Sequence, residues 1–391
     1  MSRKDWDNVA PHSWRWLLSL GKTVVEETST GDSDASEDTV RAFKSGGITR
    51  YISARMMAVI GMIIIVVLVL EITSREQLLT GLNIGGVLNA SSEIGFIAIG
   101  VTALMIGGEF DLSVGQTFVA SGMTFATIYT SVGVFPAIIV SLAIGAAIGM
   151  LNGFITLGFG IPSFITTLGT SYVVAGLILM VTTGQPITAV TLPKSFSIFG
   201  GYIGSTSIRW EVVWWLGLAV VMAIVLHKTT FGNHIFGAGG HADASRNIGV
   251  RVGMTKMALF VLCGMFSAFS GIVLFAHLGD IEASAGSGLQ LEAIAAAVIG
   301  GTALFGGIGT IYGGVIGSFF LGVITVGLVL SGASTVYYEL FVGIVLILAV
   351  ALQAKTEGIT SFVKRAVGQR SWIAEHAHGR STDTTQAGSA Q

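Results

Sequence analysis

Two carboxylates, Glu109 and Asp111, stand directly after a glycine pair, Gly107 and Gly108, at the close of an apolar run that begins at Ala98. Carboxylates in such a place do one of two things. They relay protons or hold cations along a path through a helix bundle, since intramembrane carboxylates and interrupted helices mark transport pathways. Alternatively the glycines end one helix and Asp111 with Ser113 caps the next, a short side-chain oxygen accepting from an unpaired first-turn N–H. Glu93, Glu292 and Glu339 offer the same choice. Most of these acids fall at the ends of apolar runs, which favours capped or solvated roles over an ion-coupled carrier. No ring of charge or filter segment of the kind that builds a channel stands out.

Other chemistry is absent. The histidines, His12, His227, His234, His241, His277, His376 and His378, show no pair at zinc spacing, and no buried nucleophile has a base near it. Cys263 is the single cysteine and lies in an apolar run, so an internal disulfide is excluded and a small buried hydrophobe is expected. Gly21, Lys22 and Thr23 end like a phosphate-binding loop, but Trp16 occupies the place of the required earlier glycine. Leu112 to Gln116 is superficially like the signature of transporter ATPases, yet it lies between apolar spans where no nucleotide reaches. The reading is of a chain that is not an enzyme, with no catalytic residues, no metal and no cofactor.

The elements that position these residues are set by composition. Of 391 residues 52% are hydrophobic and only 11% charged, against about 25% charged in soluble domains, and the mean hydropathy is +0.79. This is an all-α integral membrane protein. A net charge of −2 without a basic stripe excludes nucleic acid as a partner. Apolar runs suited to crossing a core of about 30 Å, roughly 20 residues each, lie near 52–72, 84–107, 112–131, 134–157, 162–183, 211–228, 254–276, 289–305, 310–332 and 335–353. Ten helices are therefore expected, with glycine-rich pieces such as Leu82 to Ala90 or Gly300 to Gly309 broken or re-entrant.

Three domains follow: 1–50, a cytoplasmic extension with an interfacial tryptophan-bearing stretch and an acidic linker; 51–354, the transmembrane part; and 355–391, a cytoplasmic tail. The first long apolar run starts only near Ile52, which argues against a cleaved signal peptide. With an even number of spans the N-terminal cations, the loop carrying Lys228, Arg246, Arg251 and Lys256, and the C-terminal cations all fall inside. Only Arg75, Lys194 and Arg209 are left outside. Both termini are thus expected in the cytoplasm.

The 54 glycines suit close helix contact in lipid. An internal echo accompanies them: Ala98 to Val119 and Ala293 to Gly314 each run apolar, then Gly-Gly, then a turn-like stretch, then a small-residue helix, as two pseudo-symmetric halves would.

The run Gly107, Gly108, Glu109, Phe110, Asp111, Leu112, Ser113, Val114, Gly115 resembles the G-G-I-D-L-S-V-G wording of the membrane-spanning permeases of bacterial ATP-driven sugar importers. This is the ribose-type group that shares ancestry with branched-chain amino-acid permeases. Glu109-Phe110 is one residue longer than that wording, so that with the pattern anchored on Asp111, Glu109 replaces a glycine. Gly160 to Gly169 is similar to the family's I-P-x-F-I-x-T-L-G segment, and Leu291 to Thr302 to its L-x-A-I-A-A-x-V-x-G-G-T. Within Gly239 to Lys256, the residues Ala242, Asp243, Ala244, Ser245, Arg246, Gly249 and Lys256 resemble the family's coupling segment, with Ala-Asp-Ala in place of the usual Glu-Ala-Ala.

The resemblance implies a multi-pass permease of the bacterial inner membrane that moves a simple sugar. Its partners are a separate ABC ATPase, a periplasmic or lipid-anchored sugar-binding protein, a second permease copy as homodimer or close heterodimer, and membrane lipid. Branched-chain amino acids or nucleosides are the alternative cargo within the family. Polar, small and aromatic residues beside the broken-helix signals, Thr102, Ser113, Thr117, Phe164, Thr167, Thr302 and Phe305, are expected near a central pathway between two copies.

Overall fold

A computed structural model of the chain describes residues 61, 63–189, 193–333, 337–344 and 346–347. The extension 1–50 and the tail 355–391 lie outside these residues, as does the start of the first expected span. Helices follow one another as α1 (Ile63–Thr73), α2 (Gly81–Ile106), α3 (Val114–Val132), α4 (Val134–Phe159), α5 (Ser163–Thr182), α6 (Trp210–Lys228), α7 (Thr230–Gly240), α8 (Ala242–Asn247), α9 (Val252–Leu278), α10 (Leu289–Ile299) and α11 (Ile311–Leu330), with a last helical segment at 337–344. Two-residue strands β1 (Ile187–Thr188) and β2 (Asp280–Ile281) pair antiparallel beside the bundle.

Six of these helices, α2, α4, α5, α6, α9 and α11, are long and apolar enough to cross a membrane. At about 1.5 Å per residue, the 26 residues of α2 reach roughly 39 Å, which exceeds a hydrocarbon core of about 30 Å. The expected ten full spans are not all present among the described residues. α3 has 19 residues but is diluted by hydroxyl side chains, and α10 stops after 11 residues, well short of the 289–305 expected. The stop has a local cause. Gly301 takes φ +92° and donates to Val298 O (2.9 Å), while the next N–H, of Thr302, reaches Ala297 O (2.9 Å), the paired bonds of a Schellman cap. The break expected in Gly300–Gly309 is present, but as a loop that ends α10 at Ile299 and not as a re-entrant helix. Leu82 to Ala90 is not broken: it is continuous helix within α2.

α2 and α9 form the interior, α9 packing on α2, α3 and α4, and α2 on α6, α9, α10 and α11. The α4–α9 contact shows why glycine is placed there: a Cβ on Gly145 would strike the Gly264 carbonyl, and one on Gly264 the Gly145 carbonyl. Backbones this close give helices in lipid the contact that hydrophobicity no longer supplies. α4 and α5 present Ile139, Phe154, Tyr172, Met180 and Val181 outward, the surface a bilayer or an apolar neighbour requires.

The internal echo is visible in the backbone. α2 ends as α10 does: Gly108, at φ +82°, donates to Met105 O (2.9 Å) and Glu109 N to Leu104 O (3.2 Å). Each of these caps delivers the chain into a short turn and then into a small-residue helix, α3 or α11.

Candidate functional site

Asp111 organises the turn after α2. Its carboxylate is buried, and Oδ1 accepts from the Ser113 backbone N–H (2.8 Å) and the Ser113 hydroxyl (2.6 Å). The expected cap is thus rearranged: Ser113 opens α3 without accepting a bond from its first turn, and its hydroxyl is spent on Asp111 instead. Asn152 of α4 completes the network, donating to Ser113 Oγ (2.8 Å) and to Asp111 (3.3 Å). Burial raises the Asp111 carboxyl above its usual range, and the donors from Ser113 and Asn152 offset only part of that rise.

The second motif holds the first. Ser163 Oγ of α5 accepts from Phe110 N (3.1 Å), and Thr167 Oγ1 from Leu112 N (3.0 Å) while donating to Ser163 O (2.8 Å). Two segments that are separate in sequence therefore form one hydrogen-bonded unit. Asn152 was not among the expected site residues, and Ser163 entered only as part of the Gly160–Gly169 motif. Asn152 was detectable in principle, as an amide in an apolar span whose burial demands partners.

Glu109 leaves this turn in another direction. Its Oε1 lies 2.6 Å from Lys256 Nζ, with the side chains 13% and 15% exposed. Lys256 is in the first turns of α9, just after α8. A second joint lies ahead of α8: a Cβ on Gly239, near the end of α7, would collide with the Ile106 carbonyl and lie 2.8 Å from Gly307 N. Gly307 N in turn donates to Ile106 O (2.8 Å). Gly108, Gly239 and Gly306 thus meet backbone to backbone, so the turn after α2, the loop after α10 and the exit of α7 share one junction.

α8 hangs from that junction. Gly249, at φ +91°, closes it by donating to Arg246 O (3.0 Å), and Val250 N bonds Ser245 O (3.0 Å). Ala244, Arg246 and Ile248 are exposed, Ile248 at 82%. Asp243 and Arg246 pair on the surface at 2.8 Å. Ser245 is buried, its hydroxyl under Gly237 of α7. It faces the permease body and not outward with Ala244, because a single helical turn anchored on α7 must turn one side inward.

A family model for the branched-chain amino acid transport system permease component matches residues 83–350. The chain belongs to this family. It is a transport permease, a multi-pass membrane protein and not an enzyme. The ribose import permease of Bacillus subtilis is 36% identical over 299 residues, 76% of this chain and 91% of that protein. The galactose/methyl galactoside import permease of Escherichia coli is 32% identical over 311 residues, 75% of this chain and 92% of that one. A probable ABC transporter permease of Sinorhizobium fredii is 29% identical over 333 residues, 85% and 97% of the two chains. No solved structure matches.

Within the permease, the residues expected along a pathway separate into two groups. Thr102, Ser113, Thr117, Thr167 and Thr302 are buried inside the single chain. Phe164 and Phe305 are at its surface, Phe305 at 82% exposure. The five hydroxyl residues therefore do not line an open face of one copy. Thr102 packs against Gly314 of α11, and Thr167 holds the turn before α3.

Proposed function

We propose that this permease is the membrane-spanning subunit of an ATP-driven importer of a simple sugar in the bacterial inner membrane. A periplasmic or lipid-anchored binding protein delivers the sugar, and a separate ABC ATPase supplies the energy. The observation that carries this reading is the glycine junction, which ties an exposed short helix, α8, to the turns after α2 and α10. An outside force on α8 has a backbone route to both. Relatives named for ribose and galactose import support the sugar over the amino acid of the family description.

Two copies enclose the pathway in this reading, with Phe164 and Phe305 on the facing surface and Thr102, Ser113, Thr117, Thr167 and Thr302 behind it. Ala244, Arg246 and Ile248 meet the ATPase on the cytoplasmic side, where both termini lie. Arg246 is free to exchange partners, since an exposed pair such as Asp243–Arg246 contributes only about 0.2–1 kcal/mol.

The test is a pair of variants. Losing one charge-assisted contact costs about 1.5–3 kcal/mol, or roughly tenfold or more in assembly. Arg246→Glu and Gly249→Val are expected to leave the permease folded and inserted, release the ATPase on purification, and abolish sugar-stimulated hydrolysis. Full uptake and a retained ATPase in both would move coupling away from α8.

A further inference from the structure

At the end of α9 remote from α8, three chemistry-bearing side chains converge from three helices. Glu93 comes from the middle of α2, Glu211 from the first turn of α6 and His277 from the last turn of α9. His277 Nδ1 is 3.3 Å from Glu93 Oε1 and 3.7 Å from Glu211 Oε2, and one ligand atom from each residue lies within 4.8 Å of the other two. Sequence spacing gave no sign of this, because the partners of His277 are on two other helices.

Glu211 is the second observation. It is 0% exposed and aimed into the cluster, and neither carboxylate oxygen has a donor in hydrogen-bonding geometry. The Ser92 hydroxyl beside it is its one side-chain hydroxyl support, and that hydroxyl is shared with Asn89 O (2.7 Å). Arg209, the adjacent cation, spends its guanidinium on Gly200 O (2.6 Å) and Tyr202 Oη (3.0 Å). A carboxylate buried with so little hydrogen-bond support is costly and needs a counter-charge.

We propose that Glu93, Glu211 and His277 bind a divalent transition-metal ion of the Zn2+ kind. Two carboxylates and a neutral imidazole are a recognised donor set for such an ion, leaving a fourth position to water. Bonds of about 2.0 Å in a tetrahedron place neighbouring ligand atoms about 3.3 Å apart, close to the 3.3 and 3.7 Å separations found. A 2+ ion cancels both carboxylate charges, and it links α2, α6 and α9 at the end where Ser270 of α9 already donates to Glu93 O (2.7 Å). Glu93 and His277 keep 33% and 17% of their side chains exposed, which gives the ion a way in.

The experiment uses the full chain, purified in lipid nanodiscs with a tag other than polyhistidine, stripped with chelator and titrated with Zn2+ alone. Wild type is expected to retain one more equivalent of zinc per chain than Glu211→Gln or His277→Gln, with affinity at this site lowered at least about tenfold in each. Zn2+ is expected to raise the melting temperature of wild type by several degrees and leave both variants unmoved. Mg2+ at the same concentration should do nothing. The six other histidines make the comparison with variants essential. Equal zinc uptake by wild type and variants overturns the proposal, as does an equal shift with Mg2+. So does a wild type that takes up no zinc while Glu211→Gln melts higher, since a proton then occupies the cluster.

Discussion

Glu109 is the residue at which the turn after α2 leaves the wording of the resembled motif, and it makes the ion pair with Lys256. The departure therefore has a structural counterpart: a strut between the turn after α2 and the first turns of α9. At 13% and 15% exposure the pair is desolvated enough that removing one partner leaves a poorly hydrated charge. Glu109→Gln or Lys256→Met alone is expected to lower uptake several-fold and stability by about 1–3 kcal/mol. The exchange Glu109→Lys with Lys256→Glu should recover most of both. Transport rates and melting of the four proteins measure the coupling, and additive losses without recovery would mean the two residues act separately. Sequence placed Glu109 beside a glycine pair and Lys256 at the exit of the coupling segment. It did not join them, because a salt bridge across 147 positions leaves no local pattern.

At the scale of elements, the glycines at helix ends carry more than close packing. Gly108, Gly301 and Gly249 each sit at positive φ as the residue that closes a helix. Gly239 lies inside α7 and is there for a different reason, the Ile106 carbonyl against its Cα. Gly239→Ala is expected to push α7 off the α2 turn, leaving insertion intact while uptake falls at least about tenfold, a change of roughly 1.4 kcal/mol. Gly253→Ala, with open space around its Cα, is the matched control and should transport normally. Equal uptake by both would remove the junction from the mechanism.

The long spans α2, α4, α5, α6, α9 and α11 were legible in the sequence, since apolar run length is set by the bilayer itself. The early end of α10 was not, because the apolar residues continue past Gly301 to Leu304 and Phe305 and only the backbone geometry shows the stop. The inward side of Ser245 was not legible for a similar reason. A helix of one or two turns has no periodicity that tells its inner face from its outer one.

For the whole molecule, charge is the basis of the proposed arrangement in the membrane. In a Cys263→Ala background, a single cysteine at the exposed Ser205 is expected to label from outside, and one at Ile248 only from inside. The reverse pattern would invert the topology and put α8 on the side without ATP. The broad apolar faces of α4 and α5 belong to this scale too: they are legible as lipid-facing or copy-facing surface, but the division between the two depends on a second chain. Pathway residues were the least legible for that reason. Hydroxyl side chains beside helix breaks were expected near the pathway, and five of the seven are buried within one copy.

In the proposed function this permease imports sugar with energy delivered through α8 by a separate ATPase. The most direct test of this reading is transport by the complex co-purified from the chain's own membranes and reconstituted with its binding protein in sealed vesicles. Uptake of labelled ribose or galactose is expected when ATP is on the α8 side, and is expected to be absent without ATP whatever proton or sodium gradient is imposed. Uptake driven by an ion gradient through the permease alone, with no ATPase bound, would contradict the account.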